Sequence, residues 1–279
     1  MRMIWRAMAI VTLTVIVACG ELTAQAVTIS IPSEILGTDR AVYVRLPEGY
    51  EMRSDFYPVL YFTDGEAIDR IAVPIVDSLA RAETIPEVIL VGIPHEDRRS
   101  DLTPTALQSR PGSGGGEEFF RFIAEELIPH IDATYRTRPT RVLYGHSLGG
   151  LFAAYAMVRD PGLFAAYIAS SPVIAWDDWY VRELADARFS AWDDRSLFLA
   201  LRAGSEEEPL FLDTGKEFAA WLEQNAPETL RWSFRVYDGE EHMSVWPHSF
   251  RDGLVEFFSQ SEAGPAGVAE PPQTLSPEG

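Results

Sequence analysis

Within this chain of 279 residues, the pentapeptide Gly145-His146-Ser147-Leu148-Gly149 has the residue types and spacing for nucleophilic chemistry. A serine hydroxyl is a weak nucleophile near neutral pH. It needs a base within hydrogen-bond reach, and donors for the charge that builds on the attacked carbonyl oxygen. Gly-x-Ser-x-Gly can supply the geometry. A serine at the tip of a sharp strand-to-helix turn, with a glycine two residues to either side, lets strand and helix approach closely and lifts the hydroxyl above the sheet edge. The flanks fit this reading. An apolar run, Val142-Leu143-Tyr144, precedes the turn, and a buried-helix pattern from Leu151 to Val158 follows it and ends at Asp160-Pro161-Gly162. The chemistry such a turn serves is acyl transfer through a covalent serine intermediate.

The base should be a histidine, and the chain has five: His95, His130, His146, His242 and His248. His146 belongs to the turn itself, so its side chain should point away from that of Ser147. His130 follows a proline at a helix end, His95 lies in a loop, and His248 falls on the first turn of the last helix. His242, in Asp238-Gly239-Glu240-Glu241-His242-Met243-Ser244-Val245-Trp246, directly follows the last strand, where this turn's partner histidine belongs. A carboxylate should hold the imidazole, and the run Glu206-Glu207-Glu208 after Gly204 supplies three candidates, with Asp177 and Asp178 as alternatives. Two backbone donors are needed for the oxyanion. Leu148 N–H is the first, and the turn Asp64-Gly65, after another buried strand, offers the second near Gly65 or Glu66.

These residues need a scaffold that brings strand ends together. Val27–Ile31 and Arg40–Leu46 alternate apolar and polar residues, as antiparallel edge strands do. Continuous apolar runs at 57–62, 87–93, 141–144, 165–170, 196–201 and 232–237 read as strands buried on both faces. Helical patterns fall between them at 66–81, 116–135, 151–158, 176–187 and 213–224, and a last one follows at 247–258. Such alternation predicts an α/β-hydrolase fold: a mainly parallel central sheet with helices on both faces, an antiparallel N-terminal strand pair and the nucleophile on the fifth strand. No linker divides 27–260, so one domain is expected.

The chain ends read differently. Arg2 and Arg6 flank the start of an apolar run from Ala7 to Ala18, the layout of an export signal and too short for a comfortable bilayer span. Ala24-Gln25-Ala26 offers cleavage after residue 26. Ile16-Val17-Ala18-Cys19 offers a lipobox that would leave a lipid anchor on Cys19. The protein is therefore expected to be exported, periplasmic or secreted. Residues 261–279 are rich in Pro, Ala, Gly and Glu and should be disordered. Cys19 is the only cysteine, which excludes an intramolecular disulfide and a thiol nucleophile. A net charge of −19 argues against nucleic acid as a partner. No clustered His/Cys set points to a metal, and no cofactor is called for. The partner expected is a small-molecule ester.

With these residues placed, the chain resembles the esterase family that includes enterochelin esterases, esterase D, feruloyl esterases and mycolyltransferases. It looks most like the bacterial branch of enterochelin esterases and periplasmic siderophore trilactone hydrolases. The segments that carry the resemblance are Tyr57–Gly65, Arg98–Pro104, Tyr144–Phe152 and Gly239–Trp246. It implies Ser147 as nucleophile, His242 as base and, by its offset from Gly204, Glu207 as acid. Some members of that branch work with a Ser–His dyad, so the acid stays open at this point. The resemblance also implies substrate-binding roles for Arg98 and Arg99, which would meet catecholate or carboxylate oxygens; a surface pairing with Glu96 and Asp97 is the other reading. Trp246 would either line the acyl pocket or anchor the last helix. The loop 94–115 and the aromatic segment 172–194 should shape the substrate pocket. An acyltransferase would use the same intermediate, and a non-catalytic binding protein could occupy the same scaffold.

Overall fold

The computed structural model describes residues 26–192 and 196–261. The expected export signal with Cys19, and the tail from residue 262 onward, lie outside the described residues. Eight strands form one sheet: β1 (Val27–Ile31), β2 (Arg40–Arg45), β3 (Tyr57–Thr63), β4 (Ile89–Ile93), β5 (Thr137–His146), β6 (Ala166–Ser170), β7 (Leu197–Gly204) and β8 (Leu230–Tyr237). Their order in the sheet is β1-β2-β4-β3-β5-β6-β7-β8. The β1–β2 and β2–β4 pairings are antiparallel and the rest are parallel. This is the α/β-hydrolase arrangement that the strand pattern predicts.

Alternation along each central strand divides the core into two layers. Val59, Tyr61, Leu143, Leu199 and Leu201 face one layer, while Leu60, Phe62, Val142, Tyr144, Phe198 and Ala200 face the other. The first layer is covered by α5 (Leu148–Arg159), α6 (Trp176–Arg188), α7 (Pro209–Asn225) and the helical stretch 116–134. The second is covered by α1 (Val73–Arg81) and α8 (Val245–Ser261). Every residue of α5 from Gly149 to Val158 is buried, so this helix is apolar all round rather than amphipathic.

Three predicted features come out differently. The expected helix 66–81 is a 3₁₀ turn at Gly65–Ala67, a π turn at Ile68–Ala72 and then α1. The expected helix 116–135 is likewise α3 (Gly116–Arg121), a π turn (Phe122–Leu127) and α4 (Ile128–Thr134). Each π turn directly precedes a helix whose first turn contains a proline, Pro74 or Pro129. Proline has no N–H and crowds the carbonyl four residues back, so the widened turn accommodates the missing i→i−4 bond. Finally, part of the loop expected around Arg98 is a short helix, α2 (Arg98–Leu102), capped by the Asp97 carboxylate, which accepts from the Arg99 and Ser100 amides at 3.1 Å each. Among the described residues, no helix is long and apolar enough to cross a membrane.

Candidate active site

The connection reverses direction across the sheet between β3 and β5, which opens a crevice at the carboxyl ends of these neighbouring strands. The motif residues collect there. Ser147 follows β5 at φ 60°, ψ −116°, a conformation that costs energy for any residue with a Cβ. Its amide donates to the Ser170 carbonyl at 2.9 Å, and its carbonyl accepts from Leu151 N–H at 3.0 Å. The flanking glycines are required by contact. A Cβ on Gly145 would sit 2.0 Å from the Gly149 carbonyl oxygen, and one on Gly149 would sit 2.4 Å from Thr63 Oγ1. The strand, turn and helix therefore close tightly enough to leave Ser147 half-buried at the surface of the crevice. Leu148 opens α5, so its N–H has no partner within the helix.

Positive φ recurs at the ends of the strands on either side. Asp64, after β3, has φ 57°, and Ser171, after β6, has φ 45°. Strained non-glycine residues thus stand at three adjacent strand ends, which makes this edge the candidate functional one. Gly65 begins the 3₁₀ turn beyond β3, and a Cβ there would lie 2.6 Å from backbone atoms of Gly92 and Ile93. Only glycine lets this loop lie against β4.

His242, in the loop between β8 and α8, stands beside the elbow. Its ring lies between the Phe211 ring at 3.9 Å and the His146 ring at 4.5 Å. Its Nδ1 is 3.3 Å from Glu207 Oε1, close enough for charge attraction, though without the alignment of a full hydrogen bond. Of the three glutamates after β7, only Glu207 turns inward: its side chain is fully buried, while Glu206 and Glu208 are exposed. Glu207 Oε1 also accepts a short hydrogen bond from Ser171 Oγ. Asp177 and Asp178, the alternative acids, lie in a left-handed kink at the start of α6.

His146 has a partner the sequence did not reveal. Its Nε2 lies 2.7 Å from the His242 carbonyl oxygen. A carbonyl only accepts, so Nε2 carries a proton. Burial, and then the nearby His242, push the His146 imidazole down to about 4. Trp246 lies beneath it, with ring centroids 5.0 Å apart, and next to Phe62 at 6.0 Å. Trp246, at the start of α8, is buried in the core against the elbow.

The two arginines are engaged differently. The Arg98 guanidinium grips both oxygens of the Asp64 carboxylate, and its Nη2 donates to the His146 carbonyl at 3.1 Å. It ties the loop after β3 to the elbow, and those donors are already engaged rather than turned to an incoming anion. Arg99 is exposed and donates to the Pro111 carbonyl at 3.1 Å. The aromatic segment packs largely within the protein. Trp176 donates from Nε1 to Thr105 Oγ1 at 3.1 Å, Trp179 lies under the Arg182 guanidinium, and Trp192 packs on Phe189.

Comparison with known proteins gives the family. The Esterase family model matches residues 33–257. Ferri-bacillibactin esterase BesA of Bacillus subtilis is 31% identical over 68% of this chain and 75% of its own length. The siderophore triacetylfusarinine C esterase of Aspergillus fumigatus is 30% identical over 72% of this chain and 81% of its own. Among solved structures, an IroE-like serine hydrolase from Shewanella oneidensis superposes with a TM-score of 0.79 at 30% identity, covering 84% of this chain and 80% of that one. The chain thus belongs to the Esterase family and is a serine esterase of the α/β-hydrolase fold.

Proposed function

We propose that this protein is an exported carboxylic-ester hydrolase that works through a Ser147–His242–Glu207 triad and an acyl-enzyme, with siderophore-type esters as its substrate class. The observation that carries the reading is the buried Glu207 carboxylate at the Nδ1 side of His242, beside an elbow that holds Ser147 at positive φ. With Nδ1 turned to Glu207, Nε2 is the nitrogen available to Ser147. It takes the Oγ proton as Oγ attacks the ester carbonyl, forming the C–O bond of a tetrahedral intermediate. The negative oxygen is met by the N–H groups of Leu148 and Gly65. Collapse breaks the bond to the alcohol, which leaves with the proton from His242. Water then attacks the acyl-enzyme by the same steps in reverse, and the acid departs. Glu207, held by Ser171, keeps the imidazole in the Nδ1–H tautomer and stabilises the imidazolium. His146, neutral beside it, adds no competing positive charge.

The substrate class rests on the relatives named for ferri-bacillibactin and triacetylfusarinine C, which cover most of the domain. Export rests on the charged and apolar N-terminal pattern alone. The test is hydrolysis of a panel of simple esters, a catecholate trilactone and a hydroxamate ester, followed by product mass. The proposal expects turnover of the siderophore esters by the wild type and none by Ser147→Ala. Hydrolysis retained by Ser147→Ala would refute the mechanism. Turnover of simple esters alone would refute the substrate class.

A further inference from the structure

We infer that His95, backed by Asp101 and Arg40, is a positioning residue for the oxyanion loop, fixing the Asp64 backbone and through it the Gly65 N–H relative to Ser147. The inference rests on the reading of Gly65 as an oxyanion donor and deepens it.

Asp64 sits at φ 57° directly before Gly65. A left-handed non-glycine residue persists only where its surroundings over-determine it. Here the Asp64 carboxylate is held by Arg98, which also bonds the His146 carbonyl. Its amide donates to His95 Nε2 at 3.2 Å. The His95 amide in turn donates to the Glu66 carboxylate at 3.4 Å, so both neighbours of Gly65 are tied to the same residue.

The His95 side chain is only 3% exposed, and its ring packs on Phe119 at 5.2 Å. Its Nδ1 lies 3.2 Å from Asp101 Oδ2, and that same oxygen accepts from Arg40 Nη2 at 2.6 Å. The tautomer follows from these partners. A backbone N–H can only donate, so Nε2 must offer its lone pair and the proton must sit on Nδ1, facing the carboxylate. Burial alone would raise the Asp101 carboxyl, but the hydrogen bonds from His95 and Arg40 outweigh it and hold the group below its ordinary value. The Asp–His logic that orients a catalytic imidazole is thus repeated behind the site, aimed at a backbone amide one residue from the oxyanion donor. Arg40 comes from β2, Asp101 from α2 and His95 from the loop after β4, so the chain of contacts fixes the β3 loop against three other elements.

The test compares His95→Asn with His95→Gln in the mature protein. An asparagine amide can donate to Asp101 from the Nδ1 position but falls short of the Asp64 N–H. A glutamine oxygen reaches the Nε2 position. Melting temperature, kcat and KM on a chromogenic ester, and affinity for a trifluoromethyl ketone that mimics the tetrahedral oxyanion are measured for both. Loss of a donor costs about 100- to 1,000-fold, so a displaced donor should lower kcat in His95→Asn by roughly 10- to 100-fold, with KM within about twofold and ketone affinity falling in parallel. His95→Gln should recover most of both. Wild-type kcat in His95→Asn, or equal losses in both variants that track their melting temperatures, would overturn the inference while leaving the esterase reading intact. An inactive wild type, or a fully active Ser147→Ala, would overturn the oxyanion reading and this inference with it.

Discussion

His146 makes a pH-dependent contribution to stability whose sign and size follow from its surroundings. The residue is 3% exposed, stacked on Trp246 and in contact with the tilted His242 ring, and donates from Nε2 to the His242 carbonyl at 2.7 Å. Burial, then the charge of His242, lower its imidazole from an ordinary 6.5 to about 4. Between these values the unfolded chain binds a proton that the folded chain refuses, so stability is full above pH 6.5 and falls as pH drops toward 4. At about 1.4 kcal/mol per pH unit, linkage gives a loss of about 2 kcal/mol by pH 5 and about 3 kcal/mol by pH 4 relative to pH 7.5. Other carboxylates titrate over the same range, so the perturbation must isolate this one group. His146→Gln does so, since its amide can donate to the same carbonyl but cannot titrate. Urea unfolding of both proteins at pH 7.5, 6, 5 and 4 then gives the difference in free energy directly. The wild type should lose about 2–3 kcal/mol relative to His146→Gln across that range. A difference that stays constant with pH would refute the assignment of a buried neutral imidazole to the elbow.

Other consequences are open to direct measurement. Glu207→Gln should keep the fold and lower kcat by about 1,000-fold with little change in KM, because an amide no longer selects the Nδ1–H tautomer; steady-state kinetics on a chromogenic ester decide it. Arg98→Leu should lower kcat by about tenfold at unchanged KM, since the guanidinium ties Asp64 to the elbow; a rise in KM at constant kcat would instead make it a substrate contact. Arg202, fully buried, bonds Glu256 at 2.5 Å, so Glu256→Gln should cost about 3 kcal/mol in urea unfolding without changing kcat.

The strand pattern carried the architecture because buried parallel strands are continuous apolar runs, and Val59–Phe62 or Leu197–Leu201 admit few other readings. The elbow was legible because its motif is short and Gly145 is demanded by a contact with Gly149 inside that motif, although Gly149 itself is demanded by Thr63 at the end of β3. What the sequence left open depends on contacts between distant segments. Glu206, Glu207 and Glu208 are chemically identical, and the choice among them is made by the turn after β7, where the Glu206 amide bonds the Glu240 carbonyl at 3.0 Å. Nothing near Trp246 in the sequence marks its ring as a neighbour of His146. For Arg98 the sequence offered Glu96 and Asp97 as ion-pair partners, while Asp64, the partner it takes, lies 34 residues earlier. The π turns before Pro74 and Pro129 were legible in principle, since proline inside a helical pattern signals a lost hydrogen bond. His95 gave no signal at all: a lone loop histidine acquires its role only when α2 brings Asp101 to its Nδ1.

The central claim is an activated Ser147, and the direct measurement is the intact mass of the purified protein after exposure to a fluorophosphonate, followed by peptide mapping. The account predicts one adduct, on the peptide containing Ser147, absent in Ser147→Ala and formed far more slowly in His242→Ala. A folded wild type that takes up no label, or one labelled equally fast without His242, would contradict it.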